Sequence, residues 1–187
     1  MNGVISTSIR VMVRPFRTYA ELRDAPPPAF FPALRFLLVI GALVALTATA
    51  RLAPLELATG MVSFAWIPLA QAIGLGVATR LVAPGVAFRR SYALYVQSIG
   101  PMVVLFLALS GLAAFDVDTG RPFLFLLMPG IVGATAWSTF LGGVMFRVGL
   151  GVSRPRAIVG AIVLLLVTYA VILGYYLAAG QLWPIVQ

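Results

Sequence analysis

The sequence predicts an all-α fold, a polytopic membrane bundle of five transmembrane helices with an N-terminal amphipathic cytoplasmic segment. Composition and pattern both predict it. The 187 residues are 61% hydrophobic and only 10% charged, whereas a soluble domain carries about 25% charged residues. The mean hydropathy is +1.05. Long apolar stretches recur along the chain, and the short connections between them alternate in arginine content. We therefore expect lipid to be the solvent for most of the chain.

Five apolar stretches are long enough for helices that cross about 30 Å of hydrocarbon, which takes roughly 20 residues each. They cover residues 30–50, 57–81, 92–115, 123–146 and 157–179. Short connections make successive helices antiparallel neighbours. We expect two regions, an amphipathic cytoplasmic or interfacial segment at residues 1–29 and a five-helix transmembrane domain at residues 30–187.

Arginine placement predicts the orientation. The 13 basic residues are all arginine, and the formal net charge is +8. Ten arginines lie before the first predicted span or beside the second and fourth connections, whereas only Arg51 and Arg121 lie beside the first and third. Because cytoplasmic loops are enriched in basic residues, the N-terminus is predicted to be cytoplasmic and the C-terminus outside. The arginine-only composition favours a bacterial protein of the inner membrane.

The segment before the first span carries an apolar stripe with helical spacing, Ile5, Ile9, Met12 and Phe16. Pro15 interrupts this helix and is suited to open a second short helix that runs to residue 22. Two compatible interpretations remain open: the stripe lies on anionic lipid, or it packs on the cytoplasmic ends of the bundle.

Small residues recur every four positions in two predicted spans. One row is Ala70, Gly74 and Ala78, and the other is Gly130, Ala134, Ser138 and Gly142. Such rows let helix backbones approach closely inside a membrane. Internal packing is the favoured interpretation, and a dimerisation or partner-binding face is the alternative.

Few polar groups lie deep in the predicted spans, and Gln71 and Gln97 are the largest of them. We expect them to bond to each other or to backbone freed at prolines, of which Pro68, Pro101 and Pro129 lie inside spans. The alternative is a solute site, because buried polar groups are costly unless they are used.

The residues that usually carry catalysis are scarce. The chain has no histidine and no cysteine, and no Asp or Glu lies within a predicted span. Thiolate chemistry, histidine acid–base chemistry and an intramembrane aspartate pair are therefore excluded, and no phosphate-binding glycine loop is present. We expect a protein that is not an enzyme and that needs no metal or cofactor.

Two segments resemble the Yip-domain family of five-span membrane proteins. One reads RPFRTYAELRDAP at residues 14–26, a proline and a short amphipathic helix before the first span. The other reads FRRSYALY at residues 88–95, a tyrosine-rich helix start that precedes Pro101. Ser91 stands where the eukaryotic signature has glycine, and the N-terminal segment is short for a GTPase-binding region. The resemblance therefore implies the fold and topology of that family, and not its role in vesicle traffic.

The expected function is that of a non-enzymatic, Yip-like membrane scaffold or accessory subunit. It would bind anionic lipid headgroups and other membrane subunits, as a homo- or hetero-oligomer, and no nucleic acid. The alternative is a small-solute transporter or channel with a pathway near Gln71 and Gln97. The arginines expected to contact lipid or a partner are Arg10, Arg14, Arg17, Arg89, Arg90, Arg154 and Arg156.

Overall fold

The computed structural model describes residues 2–24, 69–102, 104–105, 108 and 121–182, and within these ranges the chain is helical and has no strand. The first predicted span, residues 30–50, lies outside the described residues. The second and third predicted spans are described in part.

Two helices make up most of the N-terminal segment. Helix α1 covers Asn2–Val13 and α2 covers Pro15–Asp24, so α2 begins at the proline that the sequence predicts as its first residue. The fixed φ of proline and its missing N–H suit that position. The two helices contact each other, and we refer to α1 and α2 together as the N-terminal helix pair.

Two further helices follow in the described part of the chain. Helix α3 is apolar and covers Leu69–Val82, and α4 covers Phe88–Tyr95. The connection between them is five residues long and turns at residues 84–86. It therefore brings α4 back beside the end of α3.

The third predicted span is not one continuous helix. Helix α4 ends at Tyr95, a turn follows at residues 96–99, and helical residues resume at Gly100. Pro101 explains the break. A proline ring in a continuous helix would clash with the carbonyl of residue 97, and proline has no N–H to donate, whereas both defects vanish in a first helical turn.

Two long helices complete the described part of the chain. Helix α5 covers Arg121–Val144 and passes into a π-helical turn at Met145–Gly149, and α6 covers Arg154–Leu182. Gly151 reverses the chain between them with φ of 70°, a conformation that costs glycine little. The stretches Pro129–Gly149 and Arg154–Tyr175 are long and apolar enough to cross a membrane, with mean hydropathies of 1.3 and 2.7.

The exposed surface of these two helices is apolar. Only 28% and 22% of the two stretches are buried within the chain, whereas the core helix of a soluble protein is mostly buried. Leu166 and Leu173 on α6 are both about three-fifths exposed. A surface of this kind suits contact with lipid.

The core lies where the N-terminal helix pair meets the ends of α3, α4 and α6 and the π-helical turn. It is built around large side chains that are fully or almost fully buried: Val11, Tyr19, Leu75, Leu94, Leu141, Met145 and Phe146. The N-terminal segment is therefore a packed part of this core.

Candidate functional site

The break in the third predicted span is covered by the N-terminal helix pair. Ser8 on α1 donates a buried hydrogen bond of 2.8 Å to Oε1 of Gln97. Tyr19 on α2 donates one of 3.3 Å to the carbonyl of Leu94, which also accepts from the backbone N–H of Gln97 at 3.2 Å. The helix pair thereby donates to one side chain and to one backbone carbonyl at the break.

Tyr19 is fully buried. Burial raises the pKa of its phenol well above the ordinary value of 10.0, and a hydrogen bond with the Ser98 side chain offsets only part of that effect. The phenol therefore stays protonated and able to donate its hydrogen bond throughout the physiological range. Its ring also packs closely on Gly149 of the π-helical turn, which joins α2 to the end of α5.

Gln97 is a structural residue of this break. Its oxygen accepts from Ser8, and it does not bond to Gln71. Its Nε2 is buried and has no hydrogen-bond partner among the described residues. The sequence predicted that Gln71 and Gln97 bond either to each other or to backbone freed at prolines. Neither bond is present among the described residues.

The outer face of the N-terminal helix pair is apolar and basic. Ile9, Val13 and Phe16 are 51%, 71% and 50% exposed, whereas Met12 of the predicted stripe packs against Gly100. The side chain of Ile5 lies outside the described residues. The stripe is thus split, with part of it packed on the core and part of it open to the surroundings.

An aromatic cluster joins this outer face to α5. The ring of Phe16 packs edge to face against Phe140, with centroids 6.1 Å apart, and Phe140 stacks on Trp137 at 5.1 Å. Trp137 and Phe140 are both more than two-fifths exposed. The exposed apolar surface therefore runs without interruption from the helix pair onto a predicted transmembrane helix.

Arginines on the helix pair surround a surface groove. Arg10 and Arg17 both pair with Glu21, at 3.6 and 3.0 Å, and Arg14 lines the same groove with Ile9 and Val13. These ion pairs are exposed, so they contribute little to stability. The groove keeps a positive balance, because three arginines face one carboxylate.

Other predicted contact arginines reach the same end of the molecule. Nη2 of Arg90 donates to the carbonyl of Arg23 at 2.7 Å, which satisfies a free carbonyl at the end of α2. The guanidinium of Arg23 packs on Gly151. Arg89, Arg154 and Arg156 are exposed. The structure thus brings Arg23 beside the start of α4 and beside the connection that precedes α6.

The small-residue rows differ in how closely they approach a neighbour. Ala70 and Ala78 are buried, and a Cβ on Gly74 would overlap Oγ1 of Thr168 and lie 3.0 Å from the carbonyl oxygen of Leu164. In the second row, a Cβ on Gly142 or Gly130 would make ordinary contacts of 3.6 and 3.4 Å, whereas Ala134 and Ser138 are half-buried. The tightest contact of the two rows is therefore between α3 and α6.

A cavity of about 260 Å³ lies between α3, α5 and α6, beside the break; we call it the inter-helix cavity. Its polar walls are uncharged and include Gln71, Tyr95, Thr135, Ser138, Thr168 and Tyr169. Gln97 is not among its lining residues. Of these residues, the sequence analysis named Gln71 as a deep polar group and Ser138 as part of a small-residue row. Thr168 and Tyr169 on α6 belong to no pattern that the sequence shows.

Comparison with known protein families, characterised proteins and solved structures finds no match for this chain.

Proposed function

We propose that this protein is a five-span integral membrane protein, Yip-like in layout, that acts as a non-enzymatic scaffold or accessory subunit. The N-terminus and the arginine-rich end would face the cytoplasm of a bacterial inner membrane, and the C-terminus would lie outside. The alternation of arginine along the chain supports this orientation. The proximity of Arg23, Arg90 and Gly151 supports a common side for these three segments, because connections on one side of a membrane must lie at one end of the bundle.

One observation carries the proposed function. The N-terminal helix pair is bound to the bundle through Ser8 and Tyr19, yet its outer face exposes Ile9, Val13 and Phe16 beside a groove lined by arginines. A purely structural element would have no need of that exposed combination. An apolar face with arginines along its edge is typical of helices that lie in the interface of an anionic membrane.

The aromatic cluster sets the level of this face. Trp is enriched where a membrane meets water, and Trp with Phe is typical of the apolar face of interfacial helices. Phe16, Trp137 and Phe140 form a continuous exposed group. The helix pair would therefore sit at headgroup level, with its apolar side chains toward the acyl chains and its arginines toward phosphates. Each arginine near an anionic leaflet contributes about 1 kcal/mol. The same face would receive an acidic partner subunit.

The test replaces Arg10, Arg14 and Arg17 together by Gln. We expect the spans to insert normally and the retention of phosphatidylglycerol, measured by native mass spectrometry of purified protein, to fall relative to phosphatidylcholine. Glu21→Gln is the matched control, since it removes the one carboxylate of the groove and should raise the retention of anionic lipid. If the triple variant retains as much phosphatidylglycerol as the wild type, these arginines do not bind anionic lipid and serve only to set the membrane orientation.

The small-solute transporter or channel keeps one observation in its favour, the presence of Gln71 in the wall of the inter-helix cavity. A pathway through both glutamines is less favoured, because Gln97 is occupied by Ser8. Solute flux into proteoliposomes that is lost in Gln71→Ala, with normal flux in the arginine triple variant, would establish the transporter and remove the scaffold.

A further inference from the structure

We infer that the groove on the N-terminal helix pair is a binding site for a lipid with two phosphodiester groups joined through one glycerol, as in cardiolipin. The site belongs to the outer face described above, and its assignment rests on the proposed function, because it names the lipid that this face would select. Three features of the groove support it: a carboxylate that already occupies an anion position, a further arginine that is unpaired, and apolar side chains beside both.

Glu21 marks the first anion position. Its carboxylate lies between an arginine of α1 and an arginine of α2, with Nη1 of Arg10 at 3.6 Å from Oε2 and Nε of Arg17 at 3.0 Å from Oε1. The two guanidinium groups therefore converge on one small anion. A phosphodiester presents two non-bridging oxygens that share one negative charge, and arginine binds phosphate and carboxylate with the same geometry. The carboxylate thus stands where a phosphate can bind.

A phosphate can displace Glu21 at little cost. The side chains of Arg10, Arg17 and Glu21 are each about half exposed or more, and exposed ion pairs of this kind contribute little to stability. The carboxylate can turn outward into water, where it is solvated. A phosphate at the membrane surface then contacts both arginines.

Arg14 provides the second position. It lines the same groove and is exposed, and its guanidinium has no hydrogen-bond or ion-pair partner among the described residues. Three arginines and one carboxylate leave the groove with two positive charges. A lipid with one phosphodiester neutralises one of these charges, whereas a lipid with two neutralises both.

The covalent link between the two phosphates favours one such lipid over two lipids with one phosphate each. A single-phosphate lipid binds at the unpaired Arg14, and a second one must then displace Glu21 by itself. When the phosphates share a glycerol, the first contact holds the second phosphate at a high local concentration beside Arg10 and Arg17. The displacement of Glu21 is then an intramolecular step.

The surroundings of the groove suit a lipid. Ile9 and Val13 line it together with the arginines, and both are more than half exposed. Exposed hydrocarbon beside basic side chains is typical of helices that contact headgroups and acyl chains together. The aromatic cluster of Phe16, Trp137 and Phe140 continues this apolar surface onto α5. The groove therefore offers neighbouring places for phosphates and for acyl chains.

The experiment measures competition between two lipids at equal phosphate. The full chain is reconstituted in phosphatidylcholine nanodiscs that contain two molecules of phosphatidylglycerol for each cardiolipin, and native mass spectrometry counts the lipids that stay bound. Per phosphate, we expect the wild type to retain about fivefold more cardiolipin than phosphatidylglycerol, the effect of one further contact between arginine and phosphate. Phosphatidate, which carries its charge on a single phosphate, should show no such advantage in a parallel arm.

Arg14→Gln removes the second position. It should lower the cardiolipin preference from about fivefold to equal retention per phosphate, because both lipids are then held at Arg10 and Arg17 alone. Arg156→Gln is the matched control: it removes the same charge from an exposed residue outside the groove and should leave the preference unchanged. Glu21→Gln should widen the preference, because a diphosphate lipid always displaces the carboxylate, whereas a single phosphate can bind at Arg14 without doing so. Glu21→Gln also serves as the test if Arg14→Gln folds poorly.

Several outcomes would overturn the diphosphate site. They are equal retention of the two lipids per phosphate in the wild type, an equal advantage for phosphatidate, a preference that survives in Arg14→Gln, and a narrower preference in Glu21→Gln. Displacement of cardiolipin by its deacylated headgroup at equal concentration would also overturn it, because the ligand would then be a soluble diphosphate.

These outcomes are distinguishable from a failure of the proposed function. If the site fails but phosphatidylglycerol retention still falls in the triple variant of Arg10, Arg14 and Arg17, the outer face binds anionic lipid without selecting two phosphates. If phosphatidylglycerol retention does not fall in that variant, the proposed binding of anionic lipid fails, and the diphosphate site fails with it.

Discussion

Gly74 illustrates how a single small side chain sets the distance between two helices. The position that its Cβ would occupy is already filled by the hydroxyl of Thr168, and the carbonyl oxygen of Leu164 lies 3.0 Å away. Gly142, which belongs to the other predicted row, has room for a methyl group at 3.6 Å from Leu164. Residues that look equivalent in the sequence therefore carry different constraints.

The two glycines give a direct comparison. Gly74→Ala should destabilise the protein by about 1–3 kcal/mol, the usual cost of overpacking a fitted contact, whereas Gly142→Ala should leave the melting temperature unchanged. Gly142→Ile should still lower it, because the longer side chain must displace Leu164. Thermal unfolding in mild detergent measures all three. Equal melting temperatures for Gly74→Ala and Gly142→Ala would show that α3 and α6 do not touch at Gly74.

Tyr19 predicts a pH dependence of stability. Burial raises its pKa in the folded protein above the ordinary 10.0, so the unfolded chain loses this proton at a lower pH than the folded one. The stabilisation is complete below about pH 10 and is lost above it, at about 1.4 kcal/mol per pH unit. We expect the melting temperature to fall less between pH 9.5 and 11 in Tyr19→Phe than in the wild type.

The same variant has a cost at neutral pH. Tyr19→Phe removes the bond to the carbonyl of Leu94 and should destabilise the protein by about 0.5–1.5 kcal/mol at pH 7. If the melting temperatures of Tyr19→Phe and the wild type fall equally between pH 9.5 and 11, the phenol of Tyr19 is not buried in the folded protein.

At the scale of elements, the interrupted third span and the N-terminal helix pair depend on each other. Pro101 disfavours a continuous helix, and at the break Tyr19 donates to the carbonyl of Leu94 and Ser8 donates to the buried side chain of Gln97. Because buried polar groups without partners are costly, the helix pair stabilises the break, and the break anchors the helix pair.

A pair of substitutions measures this dependence. Ser8→Ala should destabilise the protein by about 1–3 kcal/mol, because it leaves the whole Gln97 amide buried and unpaired. Adding Gln97→Leu should recover most of that loss, since both partners are then apolar. Thermal unfolding measures the stability, and limited proteolysis reports release of the helix pair. If the stability losses of Ser8→Ala and Gln97→Leu simply add in the double variant, the two side chains do not interact.

At the scale of the whole molecule, arginine-rich segments from distant parts of the described chain meet at one end. Arg23 and Arg90 belong to distant parts of the sequence, yet Arg90 bonds to the backbone of Arg23, and Arg23 packs on Gly151. Three arginine-rich segments therefore share one end of the described helices. A protein with such a distribution would present that end to the cytoplasm.

Topology is tested with single cysteines in intact cells. Asp118→Cys, in the third connection, should react with an impermeant thiol reagent, whereas Arg89→Cys should react only after lysis. The reverse pattern would invert the orientation, and reaction of both in intact cells would rule out the five-span arrangement.

Composition and periodicity determine much of this protein. Apolar stretches of the right length predict helices, and the described residues of the predicted spans are helical apart from the turn at residues 96–99. Pro15 predicts the start of α2, and Pro101 marks the place near which the third span breaks. These features are local, because proline geometry and a long apolar run act on the backbone wherever they occur.

Tertiary structure alone decided which face of each helix meets a partner. Ser8, Tyr19 and Thr168 carried no distinguishing signal in the sequence. The expected partners of Gln97 were Gln71 or freed backbone, and in the described structure its side chain accepts from Ser8. In water, an apolar face signals burial against protein. In a membrane, lipid and protein interior are equally apolar, so periodicity does not separate the face that packs from the face that meets lipid. That choice depends on the fit between helices, at contacts such as Gly74 with Thr168, which only the folded chain brings together.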